Sequence, residues 1–119
     1  MSVFKVNVVA VNPADNRSTT QLEALVDTGS ELTWFPRELL TDIGVTPRRR
    51  RSFLTATKQM IQRDVGYAIL RAEGFETIDE VVFAEAGDMH LLGVRTLEGF
   101  GVMVDNLAHR FVATTTLAA

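Results

Sequence analysis

The feature that most constrains this chain is an apolar run that ends in an acid and three small residues, Ala24-Leu25-Val26-Asp27-Thr28-Gly29-Ser30. Apolar residues directly before Asp27 predict a strand that carries its carboxylate into a poorly solvated place, where the charged form is disfavoured. Gly29 permits a sharp turn and the close approach of another segment, and the hydroxyls of Thr28 and Ser30 can hydrogen-bond the loop or the carboxylate. The same residue types are ordinary in a turn between two strands, so a functional site and a simple turn both stay open.

Composition limits the classes of protein to which this loop can belong. The chain has 119 residues, of which 46% are hydrophobic and 23% are charged, and its net charge is −3. These values are typical of one soluble globular domain, spanning residues 1–119, that is large enough to bury a core. An acidic chain gives no reason to expect nucleic acid or an anionic membrane as its main partner.

The sequence lacks the patterns of disulfides, metal sites and membrane targeting. It contains no cysteine, which excludes disulfides and thiolate metal sites but leaves the redox compartment open. His90 and His109 are far apart and lack metal-ligand spacing, so a structural role is expected for each. No apolar run has the length of a membrane-spanning helix, and the residues after Met1 lack a signal-peptide pattern. We therefore expect a cytoplasmic protein, or a mature fragment of a longer one.

Alternating apolar residues predict a β-hairpin that leads to Asp27. The alternation runs from Phe4 to Ala10 and resumes from Thr20 to Val26, which is the period of half-buried strands. Between these two runs, the segment Asn12–Ser18 is dense in turn-forming residues and is expected to join the strands.

Two short helices and several further strands are expected after this hairpin. One helix is predicted from Pro36 to Gly44, and a second from Arg95 to Phe100, closed by Gly101. The other predicted strands are Leu32–Phe35, Ser52–Leu54, Lys58–Arg71, Thr77–Phe83, Val102–Asp105 and Arg110–Ala113, with turns at Thr55–Thr57 and Glu73–Gly74. About eight short strands with two short helices favour a small closed β-barrel or a β-sandwich.

The run Arg48-Arg49-Arg50-Arg51 is the one conspicuous cluster of charge. It is interpreted either as a patch for polyanions or as a solvated loop or edge strand. Because the whole chain is acidic and no aromatic residues interrupt the run, the loop or edge strand is favoured. The hairpin that follows is polar, and it is either a projecting arm or an ordinary exposed hairpin.

Two features of the sequence combine into a resemblance. The Asp27-Thr28-Gly29-Ser30 loop comes early after an apolar run, and Leu91-Leu92-Gly93 follows about sixty residues later, directly before a short helix. With this arrangement the chain resembles the retropepsin-type, retroviral-like aspartic peptidases of clan AA, over nearly its whole length. The resemblance implies an all-β fold, a small closed β-barrel of the acid-protease type with one or two short helices.

The resemblance also implies roles for the loop residues. Asp27 is the expected catalytic aspartate, and Thr28 is expected to reach the loop of a partner subunit and lock the two together. Gly29 is expected to offer backbone hydrogen bonds to a bound peptide. Ser30 is expected to donate a hydrogen bond to the Asp27 carboxylate, which would lower the pKa of the catalytic pair.

Further positions carry supporting roles in the same family. Leu92 and Gly93 are expected to pack beside the Asp27 loop, and Arg95 is expected to pair with Glu31 just after that loop. The flap, a hairpin over the substrate cleft, is expected at Thr55, Ala56, Thr57, Lys58 and Gln59. This segment lacks the glycine-rich tip of the viral members, which leaves the tip residue open.

Stoichiometry follows from the single copy of the motif. The mechanism of the family needs two carboxylates that share one proton, and no other aspartate in this chain is followed by Thr-Gly or Ser-Gly. The second Asp27 must therefore come from a second chain, so the resemblance implies a homodimeric endopeptidase acting on peptide or protein substrates without metal or cofactor. A peptide-binding or dimerisation module of the same fold, and a plain structural β-domain, are the alternatives.

Overall fold

The computed structural model describes residues 4–118. This part of the chain contains nine strands and two short helices joined by loops. In chain order they are β1 (Lys5–Asn12), β2 (Asp15–Val26), β3 (Thr33–Pro36), α1 (Arg37–Asp42), β4 (Arg49–Leu54), β5 (Met60–Ala72), β6 (Phe75–Ala84), β7 (Leu91–Leu92), α2 (Val94–Phe100), β8 (Val102–Asp105) and β9 (Arg110–Ala113). The prediction of a mainly β fold with two short helices is confirmed.

Seven of the strands form one sheet that returns on itself. Its order is β1-β2-β7-β3-β6-β5-β4, and β1 pairs additionally with β5. Most neighbours are antiparallel, whereas β2 with β7 and β3 with β6 are parallel. Strands β8 and β9 pair with each other as a separate hairpin. The parallel pair of β2 and β7 places Val26 opposite Leu92, so the chain leaves β2 at Asp27 directly beside β7.

The first hairpin differs from its prediction in one respect. Strand β2 begins at Asp15 rather than at Thr20, and the turn shrinks to the residues between Asn12 and Asp15. The polar residues of Asn16–Thr19 looked like a loop, but they lie at the outer end of a long hairpin, where strand side chains face water.

Both helices lie close to where the sequence placed them. Helix α1 buries Leu40 and is followed by Gly44 at φ +81°. Helix α2 ends at Gly101, whose φ of +76° is the left-handed conformation that glycine adopts most readily. None of the helices between residues 4 and 118 is long and apolar enough to cross a membrane.

The apolar interior is divided into two unequal clusters. The larger joins buried side chains from most strands and from α1 and α2, including Val8, Phe35 and Phe83. The smaller contains Leu32, Val65 and Val82, with Trp34 and Phe53 packed against it. Leu32 and Trp34 follow the Asp27 loop closely in sequence, so the small cluster is connected directly to that loop.

Candidate active site

Asp27 begins the loop that follows β2, and the sheet fixes its main chain. The backbone N–H of Asp27 donates to the carbonyl of Leu92 at 3.0 Å, which continues the β2–β7 pairing by one residue. Asp27 itself is only partly buried. Its carboxylate is therefore more accessible than the apolar run before it predicted, and it can meet a ligand from solvent.

The loop is a tight turn held by its own hydrogen bonds. The N–H of Gly29 donates to Oδ1 of Asp27 at 2.9 Å, and the N–H of Ser30 donates to the Asp27 carbonyl at 3.1 Å. A Cβ on residue 29 would lie 3.2 Å from the same Oδ1, a tight contact, so glycine leaves room for this approach. The Gly29 amide thus orients the carboxylate.

The expected bond from Ser30 to Asp27 is wrong. The Ser30 hydroxyl donates instead to the carbonyl of Leu32, at 2.8 Å. The turn brings the Leu32 carbonyl within hydrogen-bond distance of Ser30 Oγ, and the Gly29 N–H donates to Oδ1 of Asp27. Ser30 therefore shapes the loop, and the expectation that its hydroxyl lowers the pKa of the catalytic pair loses its basis.

The start of α2 holds the second half of the loop. The N–H groups of Val94 and Arg95 donate to the carbonyls of Ser30 and Glu31, at 2.8 and 3.1 Å. Gly93, just before the helix, lies so close to this backbone that a Cβ there would collide with the carbonyl of Leu32. The prediction that Leu92 and Gly93 pack beside the Asp27 loop is confirmed.

The expected side-chain ion pair between Glu31 and Arg95 is wrong. The Arg95 guanidinium lies 3.6 Å from Oδ1 of Asp79 and 3.5 Å from Oε1 of Glu80. Both acids are buried on β6, and such carboxylates need neutralising partners. Glu31 is exposed and makes no ion pair with any other residue between 4 and 118. The acids Asp79-Glu80, directly before the apolar run Val81–Ala84, were the overlooked signal in the sequence.

Glu80 also binds the arginine run. Arg49 and Arg51 reach its two carboxylate oxygens at 2.9 and 2.7 Å. Burial raises the pKa of Glu80, but the hydrogen bonds and charges of these arginines lower it more, so the pKa lies below its usual value. The interpretation of the run as an edge strand is confirmed, since β4 lies at the end of the sheet order.

A cleft of about 580 Å³ opens beside Asp27. Its lining includes Asp27, Gly29, Ser30, Glu31 and Leu32 from the loop, the apolar side chains of Trp34, Phe53, Leu54, Ile61, Met89 and Leu91, the first tip residues Thr55 and Ala56, and Gly87 and Asp88. The sequence did not single out the apolar wall, because its members come from four separate strands and one loop. Thr28 is exposed and does not line this cleft.

The tip of the β4–β5 hairpin, residues 55–59, stands at one side of the cleft. It is closed by the Thr55 N–H to the Gln59 carbonyl and the Lys58 N–H to the Thr55 carbonyl, both at 2.9 Å. Lys58 has φ +64°, a conformation that L-residues adopt at some cost. Of the five predicted flap residues, Thr55 and Ala56 line the cleft, whereas Thr57, Lys58 and Gln59 do not.

An ion pair ties the β4–β5 hairpin to the loop after β6. Arg63 on β5 donates two hydrogen bonds to the Asp88 carboxylate, at 2.7 and 2.9 Å. The pKa of Asp88 lies below its usual value, chiefly because of these two bonds. The N–H of Glu85 also donates to this carboxylate and lowers its pKa further. Asp88 is therefore held as a carboxylate at the edge of the cleft.

Two further observations bear on the site. A second cleft, of about 410 Å³, lies near Gly44 and Tyr67, and none of the predicted site residues lines it. Among residues 4–118, no group of three or more histidine or acidic side chains is arranged to hold a metal ion.

Comparison of the sequence with protein-family models and with curated proteins yields no match.

Proposed function

We propose that this protein is an aspartic endopeptidase of the retropepsin type that acts as a homodimer. The observation that carries the proposal is the placement of Asp27, oriented by the Gly29 amide, in a cleft with an apolar wall and a hairpin tip at its side. The sheet pairings that lead from β5 back to β1 fit the small closed barrel of that family.

The chemistry needs one carboxylate to take a proton from water and a second, protonated one to donate to the scissile carbonyl. Asp88 also lines the cleft, but Arg63 keeps its pKa low, which makes it a poor proton donor. A second Asp27 from a symmetry-related subunit supplies a carboxyl group with the same surroundings. Two such groups close together share one proton, as the aspartic-protease dyad does in the general account of coupled carboxyls.

The cleft suits an extended peptide. The apolar side chains of Trp34, Phe53 and Ile61 offer burial to peptide side chains, and the exposed Gly29 offers its carbonyl oxygen to a peptide N–H. The exposed Thr28 hydroxyl is available for the contact with the partner's loop that the family resemblance implies.

The test is cleavage of a peptide library by the wild type and by Asp27→Asn. We expect the wild type to cleave and to bind a pepstatin-type inhibitor, and Asp27→Asn to lose about 10²-fold or more of kcat while staying folded. Asp42→Asn, an exposed residue of α1, is the matched control and should keep full activity. Undiminished cleavage by Asp27→Asn would overturn the proposal.

A peptide-binding module of the same fold is the second candidate. It is favoured by the tip, where Lys58 rather than glycine adopts the left-handed conformation, so that closure over a substrate is less free. Binding of library peptides by the wild type without any cleavage would support this candidate over the enzyme.

A further inference from the structure

A row of buried polar groups joins β3, α2 and β6 beside the Asp27 loop, and none of its members lines the cleft. The N–H of Gly93 donates to Oγ1 of Thr33 at 3.0 Å, and this oxygen lies 2.7 Å from Oγ1 of Thr96. The Thr96 hydroxyl in turn donates to Oδ2 of Asp79 at 3.0 Å. Both threonines are completely buried and Asp79 is 9% exposed, so water does not compete for these bonds.

The two ends of this row fix the direction of every proton in it. Oδ1 of Asp79 accepts from the N–H of Glu80 at 2.7 Å and lies 3.6 Å from the Arg95 guanidinium, so Asp79 is an acceptor. Thr96 therefore gives its single proton to Asp79, and its oxygen must accept from Thr33. The oxygen of Thr33 is then left to accept from the N–H of Gly93.

The row continues to Asp27 through one peptide group. The N–H of Gly93 and the carbonyl of Leu92 belong to the same peptide unit, and that carbonyl accepts the N–H of Asp27 at 3.0 Å. The bonds thus run in one direction from the Asp27 amide to the Asp79 carboxylate. Hydrogen bonds in such a chain polarise and strengthen one another in a low-dielectric interior.

We propose that Asp79, acting through Thr96 and Thr33, is a positioning residue for Asp27. Asp79 does not line the cleft and touches no substrate there. It orients the Leu92–Gly93 peptide group, and that group sets the main chain from which the Asp27 carboxylate projects. The inference rests on the proposed function, since it assigns a catalytic consequence to this orientation.

The test compares Thr96→Val, which removes the hydroxyl but keeps the shape, with Thr96→Ser, which keeps the hydroxyl. For Thr96→Val we expect kcat to fall about 10-fold with KM changed less than about twofold, because small misplacements of a reacting group affect the chemical step. Thr96→Ser should keep most of the wild-type kcat. Val11→Ala is the stability control, since it opens a cavity at the end of the β1–β2 hairpin remote from Asp27.

A readout independent of activity is amide hydrogen exchange at Asp27 and Gly93. We expect exchange at both amides to accelerate in Thr96→Val relative to Val11→Ala, and to return towards the wild type in Thr96→Ser. If Thr96→Val does not fold, Asp79→Asn takes its place, with a smaller effect in the same direction because the charged acceptor is lost.

The outcomes separate the two proposals. Altered exchange at Asp27 with an inactive wild type would support the positioning role and overturn only the peptidase proposal. An active wild type in which Thr96→Val and Val11→Ala share the same kcat and the same exchange at Asp27 would overturn the positioning role.

Discussion

The Asp27 loop and the hairpin tip proposed as the flap, residues 55–59, border the same cleft but are held by different interactions. Backbone hydrogen bonds connect the loop to β7 and to α2, and further bonds close its own turn. The buried hydroxyls of Thr33 and Thr96 lie nearby. The flap is exposed and closed only by bonds within its own turn. Besides the backbone pairing of β5 with β6, ion pairs attach its supporting strands to the rest of the protein, namely those of Arg49 and Arg51 with Glu80 and of Arg63 with Asp88.

This difference separates a fixed side of the cleft from an adjustable side. The backbone hydrogen bonds that hold the loop do not change with pH in the acidic range, whereas ion pairs weaken once their carboxylates are protonated. In the proposed function, the site must keep one carboxylate in place while it admits a peptide, and this division suits that task. Three substitutions test it.

The largest effect is expected from Gly93→Ala, which disrupts the fixed side. A Cβ at residue 93 would collide with the Leu32 carbonyl, and moving either backbone would break the bonds that α2 donates to the loop. We expect the unfolding free energy to fall by roughly 3 kcal/mol or more, with loss of activity. Denaturant unfolding measures the first and peptide cleavage the second.

Gly87→Ala is the matched control for this substitution. Gly87 also lines the cleft and has φ +89°, but a Cβ there would meet no atom within 4 Å. Its replacement should cost only the backbone strain, about 1–2 kcal/mol. Equal losses in the two variants would show that the close contact at Gly93 is not what fixes the loop.

An effect of intermediate size is expected when the pH is lowered, because the ion pairs of the adjustable side are then weakened. The pKa of Asp88 is lower in the folded protein than in the unfolded chain, so its pairing with Arg63 contributes stability above the ordinary carboxyl pKa, and this contribution is lost as the pH falls through the folded value. Below about pH 4, the protection of the Met60–Val65 amides, taken relative to the intrinsic exchange rate at each pH, should therefore fall before the protection of the Asp27 amide does.

Arg63→Met isolates the ion pair. At pH 6 this variant should be less stable than the wild type, and its stability should fall less on going to pH 3, because the Asp88 pKa moves back towards its usual value. Arg17→Met, at a side chain that is 95% exposed, should leave the pH profile nearly unchanged. A wild-type pH profile in Arg63→Met would count against an acid-sensitive flap support.

The smallest effect on stability is expected at the flap itself, from Lys58→Gly. Glycine relieves the left-handed strain of Lys58 but adds freedom to the unfolded chain, so the unfolding free energy should change by less than about 1 kcal/mol. A freer tip closes more readily over a substrate, so KM should fall a few-fold.

Glu73→Gly provides the comparison for Lys58→Gly. Glu73 has φ +52° in the β5–β6 turn and lines neither of the clefts described above. Its replacement should change stability by a similar amount and leave KM unaltered. The division between the two sides would fail if both variants changed KM equally.

Sequence reasoning predicted what depends on neighbours in the chain. Helix α2 and its end at Gly101, the Glu73–Gly74 turn, and the packing of Gly93 beside the Asp27 loop follow from local patterns and from the resemblance. It failed where one donor had several acceptors within reach. The Ser30 hydroxyl could choose between the Asp27 carboxylate and the Leu32 carbonyl, and residue types alone do not decide that.

Long-range partners were the other failure. Arg95 binds Asp79 and Glu80 because the fold buries these acids beside α2, about fifteen residues away in sequence. The Thr33–Thr96 contact joins residues 63 positions apart. Neither contact leaves a periodic signal, since each depends on how β3, β6 and α2 pack together.

In the proposed function, two Asp27 carboxylates from two subunits form one catalytic site. Subunit mixing tests it directly: wild-type protein and Asp27→Asn are combined in equal amounts, with the total concentration held constant. Only dimers with two wild-type subunits retain the pair, so activity should fall to about one quarter of the wild-type value. An equal mixture with Asp42→Asn should keep full activity. A fall to about one half would contradict a site shared between two subunits, because each chain would then carry a complete site.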